Sequence, residues 1–225
     1  FSFPSGQLKI NAGNGGRIYF GPGAVADVSG SWVEKSALDA VLGVQMNSLE
    51  LRDEFLQKNG ELQGETIYFL MHEGTSIGNV SEHLANREQS VWELSTAAGL
   101  IDLKAGTGDI IVDKAALLDI SGGGIHYSAG YVRTTKLFSG GVLYDIADAP
   151  DYLAYDSLLN VKGNMSEAHK EYLSAHTVGD DAGQVSMVAR QIVYEGGLDG
   201  SVQQGRYQVN PAELVDELGA DAMAR

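Results

Sequence analysis

Apolar side chains recur at every second position in three separated stretches of the chain. Leu8, Ile10 and Ala12, then Ile18 and Phe20, are matched by Ile101, Leu103 and Ala105, then Ile110 and Val112, and again by Val185, Met187 and Ala189, then Ile192 and Tyr194. A period of two belongs to a strand with one face buried and the other in water. The positions between them agree, since Gln184, Ser186, Arg190 and Gln191 are polar.

The three stretches are copies of one unit. Residues 6–30 read GQLKINAGNGGRIYFGPGAVADVSG and residues 99–122 read GLIDLKAGTGDIIVDKAALLDISG, aligned after a single-residue gap. Gly6 then falls on Gly99, Ile18 on Ile110, Ala24 on Ala116, and Asp27-Val28-Ser29-Gly30 on Asp119-Ile120-Ser121-Gly122. A more divergent third copy begins at Gly183. Between the strands, Gly-Asn-Gly-Gly at 13–16 and Gly-Thr-Gly at 106–108 supply residues that tolerate positive φ, and the Asp-x-Ser-Gly ends suit a turn in which Asp and Ser side chains hold nearby N–H groups. A copy of about 25 residues at ~3.3 Å per strand residue, less its turns, spans one coil of a solenoid. Stacked coils would bury each strand face, and this favours an all-β β-solenoid over the rival β-sandwich with two similar hairpins.

Long segments separate the copies, dividing the chain into coils at 1–30, 99–124 and 183–209, insertions at 31–98 and 125–182, and a C-terminal helix or tail at 210–225. The first insertion carries a strand over residues 65–71 and helical spacing over 81–94, with Leu84, Val91 and Leu94 on one face. In the second, Ser166 N-caps an expected helix over 166–174, and Asn210-Pro211-Ala212-Glu213 opens another over 211–218. The insertions are thus read as α/β elaborations. The second is rich in tyrosine, and Tyr127, Tyr131, Tyr144, Tyr152 and Tyr155 are the candidate binding surface, because tyrosine supplies area and a polar tip to an interface.

Composition narrows the function. Thirty Asp and Glu stand against fifteen Lys and Arg, for a net charge of −15, so nucleic acid, which needs clustered cations, is not an expected partner. There is no cysteine and hence no disulfide or thiolate site. No window is apolar enough for a membrane-spanning helix, no signal segment opens the chain, and Phe1-Ser2-Phe3-Pro4 reads as internal to a longer protein. The histidines at 72, 83, 126, 169 and 176 lack metal-ligand spacing, Gly106-Thr107-Gly108 lies between strands where a phosphate loop would open a helix, and no Gly-x-Ser-x-Gly elbow occurs. No catalytic residue, cofactor or metal is therefore assigned. The nearest carboxylates for a polysaccharide-cleaving enzyme or a calcium site, Glu195, Asp199 and the pair Asp180 and Asp181, read as turn residues.

The block at 6–30 resembles coils of the filamentous haemagglutinin family of large exoproteins. The stretches Glu50-Leu51-Arg52-Asp53, Leu62-Gln63-Gly64-Glu65-Thr66-Ile67-Tyr68, Tyr127 to Leu137 and Gly141 to Pro150 are similar to a particular segment of those proteins. The resemblance covers most of residues 5–205. It implies a right-handed parallel β-helix inside a longer chain, exported through a partner pore in the outer membrane of a Gram-negative bacterium by two-partner secretion and left secreted or at the cell surface. It further implies a structural or adhesive role in cell adhesion, aggregation or biofilm, with a protein or glycan surface as partner. The rival readings are a self-assembling matrix or sheath subunit, which associates with its own copies, and a carbohydrate-active β-helix enzyme.

Overall fold

Each alternating stretch is a strand, and the strands pair as the repeat alignment requires. The computed structural model describes residues 1–160 and 169–209. Gln7–Asn11, Leu100–Lys104 and Gln184–Val188 make one parallel sheet in which Ile10, Leu103 and Met187 share a register position. Ile18–Phe20, Asp109–Val112 and Gln191–Tyr194 make a second, aligning Ile18, Ile110 and Ile192. Val25–Asp27, Leu117–Asp119 and Gly197–Asp199 make a third, aligning Ala26, Leu118 and Leu198. In every sheet the strand of the middle copy is central. The fold is all-β, and no sheet among the described residues closes into a barrel.

Because side chains alternate across a strand, one face of each sheet turns inward. Ile101, Leu103, Ile110, Val112 and Leu118 of the middle copy are fully buried there, with Ile18, Phe20 and Ala26 of the first copy packed against them. The third copy is less covered. Ile192 is 44% and Leu198 55% exposed, where their register partners Ile110 and Leu118 are 0%.

Two kinds of glycine recur. Gly13 and Gly106 hold φ of +70° and +55°, as the sequence pattern anticipates for turns. Gly99 and Gly108 serve a different purpose, because a Cβ on either would lie 1.7 Å from the carbonyl oxygen of Gly6 or Gly16 in the copy beneath. Close stacking of the copies therefore requires a bare backbone at these corners.

The Asp-x-Ser ends close identically. Asp27 Oδ1 accepts from the Ser29 N–H at 3.0 Å and the Ser29 hydroxyl at 2.7 Å, and Asp119 Oδ1 accepts from Ser121 over the same two distances. In the third copy Asp199 accepts from the Ser201 N–H at 3.0 Å. The Ser29 hydroxyl bond, outweighing desolvation, holds the Asp27 carboxyl below its ordinary value of 3.8. A depressed carboxyl contributes stability above its unfolded pKa, and that stability is lost as pH falls through the folded one. Asp27→Ala is accordingly expected to lose about 1 kcal/mol at neutral pH. The gap to the unaltered protein, followed by thermal melting, should narrow below pH 3.8. On the outer face Asp109 pairs with Arg17 of the first copy and Arg190 of the third at 3.4 and 2.9 Å, which ties the three copies in register.

The chain divides into two units. The three copies belong to one, made of the described residues of Phe1–Glu34, Gln89–His126 and His176–Arg225. It also holds most of a sheet ordered His176–Gly179, Gly124–Tyr127, Trp32–Lys35. The other comprises Lys35–Glu88 and the described residues of Tyr127–Ala175, and so draws on both insertions. In it Val41–Gln45 pairs antiparallel with Thr66–Leu70, inside the segment expected as a strand. Lys136–Ser139 lies antiparallel between Val142–Asp145 and Ser157–Leu159, and Gly130–Val132 pairs antiparallel with Glu171–Leu173. Met46, Leu51, Ile67, Phe69, Leu137 and Ile146 fill the core. Side chains from the first insertion fasten the second: Gln57 donates to the Leu153 carbonyl at 2.6 Å, Thr75 to that of Ile146 at 2.8 Å, and Ser76 to that of Ala149 at 2.6 Å.

Helix is scarcer than the spacing implies. The stretch 81–94 is helical only at Ser81–Ala85, with a separate 3-10 turn at Glu93–Ser95, and Val91 and Leu94 are exposed. The break has a local cause. Glu93 accepts from the Ser90 N–H while the Ser90 hydroxyl accepts from the Glu93 N–H, a capping box that starts a new turn. The helix expected over 166–174 is corrected where it is described: Glu171–Leu173 is a strand, because Val132 and Leu173 turn inward from this ladder and are buried. Residues 166–168 and the expected helix at 211–218 lie outside the described residues. No helix among the described residues is long and apolar enough to cross a membrane.

Candidate functional site

The five tyrosines singled out from sequence separate into two buried, two exposed and one half-buried. Tyr127 and Tyr155 are 4% and 6% exposed and belong to the interior, which corrects their assignment to a binding surface. Tyr155 donates its hydroxyl to the Pro150 carbonyl at 2.7 Å, its ring meets half-buried Tyr144 edge-on at 6.1 Å, and burial pushes its hydroxyl up to about 12. Tyr131 and Tyr152 are exposed.

Tyr131 does not stand alone. The antiparallel register sets it directly opposite Tyr172, and the two rings meet edge-on with centroids 5.4 Å apart. Cross-strand neighbours share a face and interact directly. One residue pair beyond the ladder, the same register places Arg133 against Lys170. Tyr131, Arg133, Lys170 and Tyr172 thus form a two-by-two array, while the alternate residues Val132 and Leu173 are buried.

The array borders a groove of about 460 Å³ whose lining includes Tyr131, Arg133 and Lys170, with Tyr68, Val41 and Leu38 completing the wall. Leu38 is brought there by the 3-10 turn Ala37–Ala40. Ser36 and Asp39 fasten that turn, the Asp39 carboxylate accepting from the Ser36 N–H at 2.9 Å and hydroxyl at 2.7 Å. The turn sits close over the strand because position 130 is glycine, where a Cβ would lie 2.9 Å from the Ala37 methyl. Val41 and Tyr68 come from the adjoining antiparallel pair.

Two other constellations occur in this unit. Buried Glu50 accepts from the Asn47 N–H at 3.0 Å and lies 2.9 Å from His83 Nε2, and the histidine bond, outweighing burial, holds its carboxyl below the ordinary value. The pair orients His83 at a cavity of about 430 Å³ beside Glu82, Asn86 and Arg87, and no hydroxyl or thiol nucleophile occurs among its described lining residues. Elsewhere Lys136 is buried in ion pairs with Asp145 and Glu171, next to Glu73 and Asp148. Burial, and then the charges of Asp145 and Asp148, push the Glu73 carboxyl up.

Two of the four carboxylates weighed for catalysis have structural partners. Asp180 accepts from the Thr96 hydroxyl at 2.6 Å and from the Asp181 N–H at 2.9 Å, and Asp199 closes its turn on Ser201. The histidines are dispersed: His72 lies 3.7 Å from Glu73, His126 stacks on Trp32 with centroids 4.4 Å apart, and His176 meets Tyr207. Among the described residues no group of three or more His, Asp or Glu side chains is arranged to hold a metal ion.

Reading the sequence for tyrosines alone misses Lys170, Leu38 and the pairing of Tyr131 with Tyr172. The signal was present as a spacing of two in Tyr131-Val132-Arg133 and Lys170-Glu171-Tyr172. Reading the second triplet as helical hid it. Comparisons with models of protein families, with curated proteins and with solved structures find no match to this chain.

Proposed function

We propose that the chain is a structural and adhesive segment of a large secreted or surface-attached bacterial filament protein, in which three coils of a right-handed parallel β-helix carry a second unit for contact with other surfaces. The observation that carries this reading is the in-register parallel stacking of the three copies, with Ile10, Leu103 and Met187 in one column and Ile18, Ile110 and Ile192 in another. A wall of identical coils offers repeated rather than unique contacts, so specificity falls to the inserted residues. The resemblance to filamentous haemagglutinin exoproteins supports the same assignment and, with it, export through a partner pore in the outer membrane of a Gram-negative bacterium. Beads coated with the folded chain are expected to adhere to cell or glycan surfaces above beads coated with the heat-unfolded chain. Equal retention of the two would overturn the adhesive role, and release of new reducing ends from acidic polysaccharides would replace it with an enzymatic one.

The exposure of Ile192 and Leu198 favours a second reading, that of a self-assembling matrix or sheath subunit. Exposed inward-facing residues on a coil whose outer strand edges no other described strand pairs favour stacking on another copy. Sedimentation velocity separates the readings, because concentration-dependent lengthening belongs to assembly and a constant monomer to a segment that adheres without it.

A further inference from the structure

We infer that Asn79 is an acceptor for N-linked glycosylation, its side-chain nitrogen taking a sugar at the anomeric carbon. The inference is independent of the adhesive reading and adds a covalent modification to the second unit.

The first observation is the motif and its setting. Asn79-Val80-Ser81 is an Asn-x-Ser triplet with a residue other than proline in the middle, the acceptor pattern for a sugar on a surface loop. Asn79 and Ser81 are exposed, while Ile77 and Val80 are buried and anchor the segment from inside. The Asn79 N–H adds a further anchor by donating to the Glu50 carbonyl at 2.9 Å, so the two polar side chains stand in the open on a fixed loop.

The second observation is the conformation of the acceptor. Asn79 Oδ1 accepts from the Ser81 N–H at 3.1 Å, a turn closed by the side chain two residues back. That bond engages Oδ1 and leaves Nδ2, the atom that must react, on the other branch of the same planar group. Among the described residues neither Nδ2 nor the Ser81 hydroxyl has a hydrogen-bond partner. Both are open to a transferase that must hold the two together. In the transfer, Nδ2 bonds to the anomeric carbon of a diphosphate-activated sugar and the anomeric C–O bond breaks, its electron pair leaving with the diphosphate. A base of the transferase takes one Nδ2 proton.

The third is room. A recess of about 240 Å³ opens at Asn79, smaller than the pockets that take drug-sized ligands and suited to a single sugar ring. Leu49, Glu82 and His83 line it, offering apolar area to a C–H face and polar groups to the hydroxyls. Glu50 bonds the Nε2 of His83 at 2.9 Å, so Nδ1 is the ring nitrogen left to meet a sugar hydroxyl.

Peptide mass spectrometry on the protein purified from the cells that encode it tests the inference. The peptide containing Asn79 is expected to carry a glycan, with fragmentation placing the sugar on Asn79 itself. A single sugar points to a nucleotide-diphosphate donor and a preassembled oligosaccharide to a lipid-diphosphate donor, and either supports the assignment. Asn79→Gln and Ser81→Ala should each abolish the modification, and Ser81→Thr should retain it. Thermal melting of each variant establishes that it is folded. The chain's other Asn-x-Ser triplet, Asn164-Met165-Ser166, lies outside the described residues. A bare Asn79 in the unaltered protein, a sugar carried only by Ser81 or only by Asn164, or equal occupancy in folded Ser81→Ala would overturn the inference. A chain that adheres with Asn79 bare loses this inference alone, whereas one that carries the sugar and does not adhere loses the adhesive reading alone.

Discussion

Gly99→Ala is expected to destabilise the three-copy unit by on the order of 3 kcal/mol or more, the upper end of what overpacking a backbone contact costs. The added methyl carbon would lie 1.7 Å from the Gly6 carbonyl oxygen, and no side-chain rotation can relieve a clash between a Cβ and a backbone. Relief requires the first and second copies to separate locally. Separation would lengthen the parallel hydrogen bonds that begin at Leu100, whose N–H donates to the Gly6 carbonyl at 3.0 Å. The same corner repeats one copy further on, where a Cβ on Gly183 would lie 2.1 Å from the Gly99 carbonyl oxygen. Gly13→Ala is the control. That residue meets nothing within 4 Å and its φ is +70°, so alanine there carries only the strain of a left-handed conformation, about 1 kcal/mol. Denaturant midpoints of the two variants, taken with unchanged slopes, measure the difference. Similar midpoints would mean that the repeated glycines serve only the turns and that close stacking of the copies does not require bare backbone.

That contrast marks what the sequence makes legible and what it conceals. Alternation at Leu8, Ile10, Ile101, Leu103, Val185 and Met187 identifies strands, and the alignment of the copies anticipates their register, because a coil that repeats can bury the same positions only by stacking in phase. The function of Gly99 as a steric gap is not legible, since a glycine conserved between copies has the same appearance whether it permits positive φ or close approach. The second unit is harder still. Its antiparallel pairs join residues far apart in sequence, as Gly130–Val132 does with Glu171–Leu173, and periodicity within either segment says nothing of its partner. A stretch such as Ser90 to Glu93 also misleads a helical reading, because one capping box restarts the chain in a new direction. The tyrosines divide for a related reason. Tyr127 and Tyr131 are close in sequence, but the first is buried and the second faces the groove.

Lys136→Ala is expected to cost the second unit on the order of 3 kcal/mol at neutral pH, because removing the buried lysine leaves the largely buried carboxylate of Asp145 without its counter-charge. Lys136 is buried in the central strand Lys136–Ser139, where its ammonium pairs with Asp145 and Glu171 and donates to the Thr134 hydroxyl at 3.1 Å. Without it, Asp145, Glu171, Glu73 and Asp148 face one cavity as four carboxylates. The pH dependence follows from Glu73, whose carboxyl is pushed above its ordinary value of 4.5 by burial and then by Asp145 and Asp148, and drawn back only by Lys136. Losing the lysine raises it further. A carboxyl with a raised folded pKa opposes folding while ionised, and that opposition is relieved as pH falls through the folded value toward the unfolded one. The deficit of Lys136→Ala relative to the unaltered chain should therefore be largest near neutrality and shrink as pH approaches 4.5. Lys136→Met combined with Asp145→Asn, which retains volume while removing one charge of each sign, should recover part of the loss at neutral pH. Melting temperatures of the two variants and the unaltered chain across the acid range test this, and a deficit that stays constant with pH would assign the effect of Lys136 to packing of its aliphatic stem instead of its charge.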